Sequence, residues 1–298
     1  MKKLIALLFV LMMTLGTACA EDKAAPVMEV HQLELGYADG YYIRCGDIEL
    51  MIDGGKPVAF SNNDDVLNFL RALGAKELDA YIITHWHLDH CENFDRVLAA
   101  FGTENTILYS PSEALPKKFD SGKRKMEVPP MPTGIYRRMQ QGDVITLGDL
   151  TITCVGPENG GRYGLTNPDS LNFVLQYGDR RMLFTGDFAA SNNICDVYPE
   201  LCGNVDVFKF PHHGSKNTSG GYEVTAKAIR VISPEYVLMP SYLNSYPVYT
   251  WMNENGIEIP QENILNMREG HVVILTDGAD YLEVRRQQNM ADYAPRTN

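Results

Sequence analysis

The stretch THWHLDH (residues 84–90) places His85, His87, Asp89 and His90 within six positions. In His85-x-His87 both side chains leave the same side of an extended segment, because strand side chains alternate with period two. Two imidazoles therefore reach one ion. Asp89 and His90 follow a turn of the chain and reach a second point nearby. Imidazole and carboxylate are borderline-to-hard ligands that suit zinc, manganese or iron. Protonated together, these rings would repel one another; a bound cation selects their deprotonated forms. The competing reading is a set of surface histidines hydrogen-bonded to Asp89. The density of ligand-type residues at the end of an apolar strand favours the metal.

Two further stretches carry the same chemistry. FTGD (184–187) ends an apolar strand on an acid, and KFPHHGS (209–215) ends one on two histidines. Asp187 is a candidate bridging carboxylate, and His212 or His213 a candidate ligand of a second metal. Asp53, in DGG, is either a turn residue or a carboxylate holding a histidine from behind.

These residues act together only if strands bring their ends to one place. The spacing predicts strands over 27–35, 47–55 and 78–84, the last running straight into the histidine turn. Helices are expected over 64–75 and 94–102. Strands recur as DVITLG, LTITCVG, SLNFVLQYG, RRMLFTGD and DVFKFP. A helix over 222–232, the strand YVLMP, a helix near 248–255 and the strands HVVILTDG and YLEVRR follow. Strand-then-helix alternation flanking a β-rich middle predicts two sheets packed face to face with helices outside, in one domain. Residues 111–141, rich in proline, lysine and arginine, read as an inserted surface loop, either overhanging a site or simply solvated. His31 and His271 lie in strand patterns away from these motifs and read as structural.

The chain has 298 residues, 45% hydrophobic, with a net charge of −12. That excess of acid disfavours avid, nonspecific binding of nucleic acid. Lys2, Lys3 and the apolar run Leu4–Leu15, followed by Ala18-Cys19-Ala20, predict an export signal over 1–20 and a short linker over 21–26. The alternative is a lipoprotein modified at Cys19, disfavoured by Gly16 three positions earlier. Cleavage leaves five cysteines; Cys195 and Cys202 are the pair best placed for a disulfide in an oxidising compartment, with two reduced thiols as the alternative.

DGG, THWHLDH, TGD and PHHGS, in this order, resemble the metallo-β-lactamase fold, and most closely the hydrolase domain of ComEC-type DNA-uptake proteins and its free-standing relatives. PDSLNFVLQYGDRRMLFTGD (168–187) and VLMPSYLNSYP (237–247) are similar to segments of that branch. The resemblance covers residues 27–287 and leaves 288–298 as a tail. It implies an α/β (α+β) αββα sandwich with two divalent cations, zinc or manganese, at one edge. By position, His85 and His87 take the first metal, Asp89 and His90 the second, and Asp187 bridges. His213, which directly precedes the glycine, is favoured over His212 as the last ligand, leaving His212 to face substrate.

This chain departs from the family pattern in places. No histidine lies between His90 and His212, where many members have one more ligand of the first metal; Asn172 lies in that region. Cys91-Glu92-Asn93 replaces a frequent glycine pair, and Tyr246 a frequent histidine. Cys91, beside a ligand, reads as a packed thiol, with an oxidation-sensitive one as the alternative. The expected function is an exported hydrolase that uses a metal-bridged hydroxide on phosphate esters, with nucleic acid among possible substrates. Asp89 and Asp187 orient the nucleophile, and His212, Lys216 or Asn244 donates to the leaving group or oxyanion, with a solvated loop lysine as the alternative for Lys216. Hydrolysis of a lactone, thioester or β-lactam, or a metal-stabilised binding protein, are the alternatives.

Overall fold

The computed structural model describes residues 27–55, 65–120, 125–158, 164–188, 194–215, 224–240, 245–266 and 270–287. The export-signal, lipoprotein and linker readings, the tail, Lys216 and Asn244 fall outside them. Along the chain, β1 (Met28–Gln32), β2 (Gly40–Cys45) and β3 (Ile48–Asp53) form an antiparallel meander. Helix α1 (Asp65–Ala72) then crosses to β4 (Ala80–Ile82). The single turn α2 (Leu88–Cys91) and α3 (Phe94–Phe101) lead on to β5 (Ile107–Ser110). A small hairpin, β6 (Lys118–Asp120) and β7 (Lys125–Glu127), precedes β8 (Ile135–Arg138).

A second meander follows: β9 (Val144–Leu147), β10 (Leu150–Gly156), β11 (Asn172–Tyr177) and β12 (Arg180–Thr185). Short helices α4 (Ile194–Val197) and α5 (Pro199–Cys202) lead to β13 (Val207–Lys209). Then come α6 (Ala226–Ile232), β14 (Tyr236–Met239), α7 (Ser245–Glu254) and β15 (Ile264–Asn266). The last strands are β16 (His271–Thr276) and β17 (Leu282–Gln287).

One sheet has eight strands in the order β17-β16-β1-β2-β3-β4-β5-β8, and the other has seven, β15-β14-β13-β12-β11-β10-β9. Period-two alternation divides the apolar residues among three cores. Val30, Ile43, Ile52 and Ile82 of the first sheet meet Ile152, Phe173, Phe184 and Leu238 of the second. Residues of opposite parity, Tyr42, Met51 and Tyr81, pack under Val66, Leu70, Val97 and Leu98 of α1 and α3. On the far side, Val174, Leu183, Phe208 and Val237 pack under Ile229, Ile232, Val248 and Met252 of α6 and α7. Three cores between four layers make an αββα sandwich. Each fully buried Leu, Ile or Phe contributes roughly 1.5–3 kcal/mol. Among the described residues, no helix is long and apolar enough to cross a membrane.

Residues 111–141 correct the sequence reading of a surface loop. Phe119 is buried in the core under α3, and β8 joins the first sheet parallel to β5. The strand alternates half-buried and exposed positions because it lies at the sheet edge, where arginines can stay in water. Cys45, Cys91, Cys154, Cys195 and Cys202 are all buried and unbonded, so the expected Cys195–Cys202 bridge is not formed in this structure.

Both sheets place their parallel strands β3-β4-β5 and β12-β13-β14 so that the carboxyl ends meet one shared edge. Crossover connections force this direction, and the crevice outside carboxyl strand ends is where open α/β sheets bind ligands.

Candidate metal centre

Asp53 ends β3, Thr84 and His85 follow β4, Asp187 follows β12, and His213 follows β13. The turn after β4 is pinned by Asp53. Its Oδ1 accepts from Thr84 N at 2.8 Å, and its Oδ2 accepts from Thr84 Oγ1 at 2.7 Å and meets His90 Nδ1 at 2.8 Å. Asp53 takes a left-handed φ of 51°, a conformation that costs energy outside glycine and concentrates at functional sites. Gly55 is required by close approach: a Cβ there would sit 1.9 Å from the Asp89 carbonyl and 2.3 Å from His90 N. Backbone bonds from Gly54 N to His90 O and from Asp39 N to Asp89 O stitch this turn and the turn between β1 and β2 to α2.

Asp187 lies at the centre. Its Oδ2 is 3.8 Å from His85 Nε2, while its Oδ1 is 3.1 Å from His90 Nε2 and 3.7 Å from His213 Nε2. One carboxylate thus faces two histidine groups with different oxygens. Ligand atoms of His85, His87 and Asp187 lie within 4.8 Å of one another, as do those of His90, Asp187, His213 and Asp39. Two atoms each bound to a tetrahedral zinc at about 2.0–2.1 Å lie roughly 3.3 Å apart, so these spacings fit ions. His85 Nε2 is buried without a hydrogen-bond partner among the described residues, and His90 Nε2 and Asp187 Oδ1 have only their 3.1 Å approach to each other within hydrogen-bond distance. Buried polar atoms are normally paired, and cations held by the two groups would satisfy them. The donor set fits two divalent ions. Asp89 completes the second group, its Oδ2 being 3.4 Å from His213 Nε2 with the side chain 44% exposed, at the mouth of the site.

Asp39 falls in the second group by distance, but its carboxylate lies behind the rings. It meets His213 through Nδ1 at 3.1 Å, while the Nε2 atoms of His90 and His213 both face Asp187. Asp39 Oδ2 is already engaged by Lys209 Nζ at 2.5 Å. Asp53 stands in the same relation to His90. Each of these two histidines therefore has a carboxylate on Nδ1 and presents Nε2 forward, the arrangement that fixes a ligating imidazole.

Burial lowers the His85 pKa well below 6.5, helped by His90. Burial also opposes charge on His90, but Asp187, Asp53 and Asp39 outweigh it and push its pKa well above 6.5. His213 is raised to about 9 against burial by Asp187 and Asp39. Burial would raise Asp187, yet His90 and His213 hold it well below the usual carboxylate range. Carboxylate charge thus draws protons onto the histidines, the same charge that attracts cations.

Of the two adjacent histidines, the structure brings His213 into the cluster and turns His212 aside, where Nε2 is 3.3 Å from Asn167 Nδ2. His212, His213 and Gly214 all have left-handed φ, 52°, 51° and 68°, which separates the two rings. Asn172 is buried beside the tip of β12 and donates to Ser170 O and Phe188 O. Cys91 is packed, donating to His87 O. His31 and His271 meet each other at 3.1 Å within the β1–β16 pair. Asp39 and Lys209 are the residues sequence reasoning missed. Lys209 had a signal: a lysine with the parity of Val207 inside an apolar strand points between the sheets.

Residues 34–223 match the family described as the metallo-beta-lactamase superfamily. The chain belongs to the metallo-beta-lactamase superfamily. It is 22% identical over 288 residues to ComE operon protein 3 of Bacillus subtilis, covering 89% of this chain but only 34% of that protein, about a third of its length. It is 23% identical over 216 residues to a UPF0173 metal-dependent hydrolase of Pyrococcus furiosus, covering 72% of this chain and 84% of the relative. The solved structure of Tm1679, a metal-dependent hydrolase of the β-lactamase superfamily, matches with a TM-score of 0.53 at 16% identity, covering 80% and 95% of the two chains. At that identity the likeness speaks for the metallo-beta-lactamase fold alone.

Proposed function

We propose that this protein is a metal-dependent hydrolase of phosphate esters, diesters foremost, holding two divalent ions, zinc or manganese. The observation that carries the reading is Asp187, whose two oxygens face separate histidine groups. The relatedness to a protein described as a metal-dependent hydrolase supports the same reaction class. In this reading His85, His87 and Asp187 hold one ion, and His90, His213, Asp89 and Asp187 hold the other. Bound together, the ions would acidify a water and offset the charge growing on an attacked phosphoryl group.

The residues do the rest. Asp53 and Asp39 keep the His90 and His213 rings facing forward. Asp89 Oδ2, at the open mouth, receives a proton from the nucleophile. His212, steadied by Asn167, stands at the rim to donate a hydrogen bond to the leaving oxygen. Lys216 and Asn244 are proposed as further donors. A cleft of about 450 Å³ is lined by Glu113, Leu115, Lys117, Lys118 and Leu165, the last next in sequence to Gly164, whose carbonyl accepts from Trp86 N of the histidine turn. Its apolar floor and two lysines suit the body of a phosphate-bearing small molecule or polymer, including a nucleic-acid fragment. Export, directed by residues 1–20, belongs to the same proposal.

Metal content and turnover of bis-p-nitrophenyl phosphate, measured on one sample beside Asp187→Ala, test the reading. Two metals per chain, with turnover lost in the variant, are expected. Turnover of nitrocefin instead would move the substrate class to β-lactams, and metal without turnover of any ester would leave a binding protein.

A further inference from the structure

The pair Asp39–Lys209 is nearly without solvent, at 1% and 2% exposure. It spans the two sheets: Asp39 lies in the turn between β1 and β2, and Lys209 ends β13 in the opposite sheet. Lys209 Nζ reaches Asp39 Oδ2 at 2.5 Å, donates to Gly186 O at 2.7 Å and stands 3.8 Å from Asp187 Oδ1. The other oxygen of Asp39 holds His213 Nδ1 at 3.1 Å. Taking two charges out of water is costly, and apolar residues of similar volume commonly stabilise a fold as well or better. Stability alone therefore explains this pair poorly.

The contacts give a different account. His213 sits on a backbone of left-handed φ with His212 beside it in the same state, so its ring needs an outside hold. Asp39 supplies that hold, and Lys209 keeps the Asp39 carboxylate turned so that Oδ1 meets the ring. The same ammonium fixes the carbonyl that immediately precedes Asp187. His85 faces the other oxygen of Asp187 and packs edge-on against His87.

We propose that Asp39 and Lys209 form an intersheet clamp of two positioning residues, which sets the affinity of the second ion, at His90, Asp89, Asp187 and His213, and acts on the first ion, at His85, His87 and Asp187, only through the shared Asp187. The inference rests on the two-ion reading above. It makes Lys209 a determinant of metal binding although a lysine ligates nothing.

Charge and position separate in the test. Metal-stripped full chain is titrated with Zn²⁺ by calorimetry beside Asp39→Leu/Lys209→Met, which removes one charge of each sign. Clamping predicts that the Zn²⁺ binding event that shifts the His213 ring resonances in protein with ¹⁵N-labelled histidine weakens about 10–100-fold, the usual cost of losing an outer partner of a ligating histidine, while the event at His85 and His87 weakens far less. Asp39→Asn/Lys209→Met has the same net charge and keeps an oxygen for His213 Nδ1, so it should recover part of the loss. The single variant Lys209→Met discriminates further. A pair that only balances charge predicts tighter Zn²⁺ binding once the ammonium is gone; a clamp predicts weaker binding. In protein with ¹⁵N-labelled histidine, the His213 Nδ1 proton should be slow to exchange in the wild type and lost in the leucine variant. Thermal unfolding checks that each variant is folded, and if the leucine variant is not, the asparagine variant and Lys209→Met decide. Equal second-ion affinity in wild type and a folded double variant overturns the clamp while leaving two-ion binding intact. A wild type that takes up no second ion overturns both.

Discussion

Asp53 accepts from Thr84 N and Thr84 Oγ1 and meets His90 Nδ1, all three buried. Asp53→Ala removes the acceptor of Thr84 N outright and leaves Thr84 Oγ1 and His90 Nδ1 only longer contacts, at 3.3 Å. At about 1–3 kcal/mol for a buried unsatisfied group, the metal-free variant should lose roughly 3 kcal/mol or more, read from the urea midpoint, and should bind metal at least tenfold more weakly. Gly55→Ala tests shape instead of chemistry. Its Cβ would meet backbone at 1.9 Å, which no rotamer change relieves, so a loss of about 3 kcal/mol is expected; an unchanged midpoint would refute the close-approach argument. The histidine turn was legible in the sequence because its ligand-type residues are contiguous. Asp39 was not, because its partner His213 lies 174 positions away and nothing local marks an aspartate in a turn as an anchor. The resemblance favoured His213 over His212, and it is the left-handed backbone that brings the His213 ring into the cluster.

Among the elements, β1 and β16 carry a second buried polar group on the face under α1. His31 Nε2 meets Glu29 Oε2 at 3.1 Å, Glu29 accepts from Arg44 at 2.9 Å, and His271 stacks toward Phe69. Burial lowers the pKa of His31, with Arg44 and Arg285 adding to it against Glu29. Burial and then His31 lower that of His271 well below 6.5. Folded, both rings resist protonation; unfolded, both take a proton near 6.5. The stability they allow is whole above that value and falls as the pH drops below it, because the unfolded state binds more protons. Unfolding midpoints of metal-free chain from about pH 7.5 down to about pH 5 should fall more steeply for wild type than for His271→Phe. Equal slopes would refute the assignment. Alternation made β1, β3, β10, β11 and β12 readable. It failed for β2, β5, β8 and β15, where aromatic or polar residues replace a clean apolar rhythm, as in GYYIRC and IYRR, and where the sheet supplies the strand register that the local sequence does not.

Across the molecule, the proposed ligands come from both sheets: His85, His87 and His90 from the turn after β4, Asp187 and His213 from the ends of β12 and β13. Ions held there would tie the halves together and favour the folded chain. With free metal about a hundredfold above its dissociation constant, the linkage contributes about 2.7 kcal/mol. Removal by a chelator should therefore lower the melting temperature by roughly 5–10 °C, and adding back Zn²⁺ or Mn²⁺ should restore it. The layered architecture was foreseeable from the order of elements and the resemblance. Strand order was not, since β1 takes its neighbours from opposite ends of the chain.

That placement of β1 has a temporal consequence. Met28 pairs with Thr276 on one side and Cys45 on the other, so one edge of the first strand has no neighbour until β16 exists. A ribosome adding about 5–20 residues per second needs on the order of tens of seconds to travel from β1 to β16. For that interval the nascent chain carries an open strand edge bearing Met28 and Val30, a template for pairing with other chains. Yield in a producing cell should then depend on how well that edge is shielded during translation, and holdase chaperones should raise it without touching the chemistry of the finished protein.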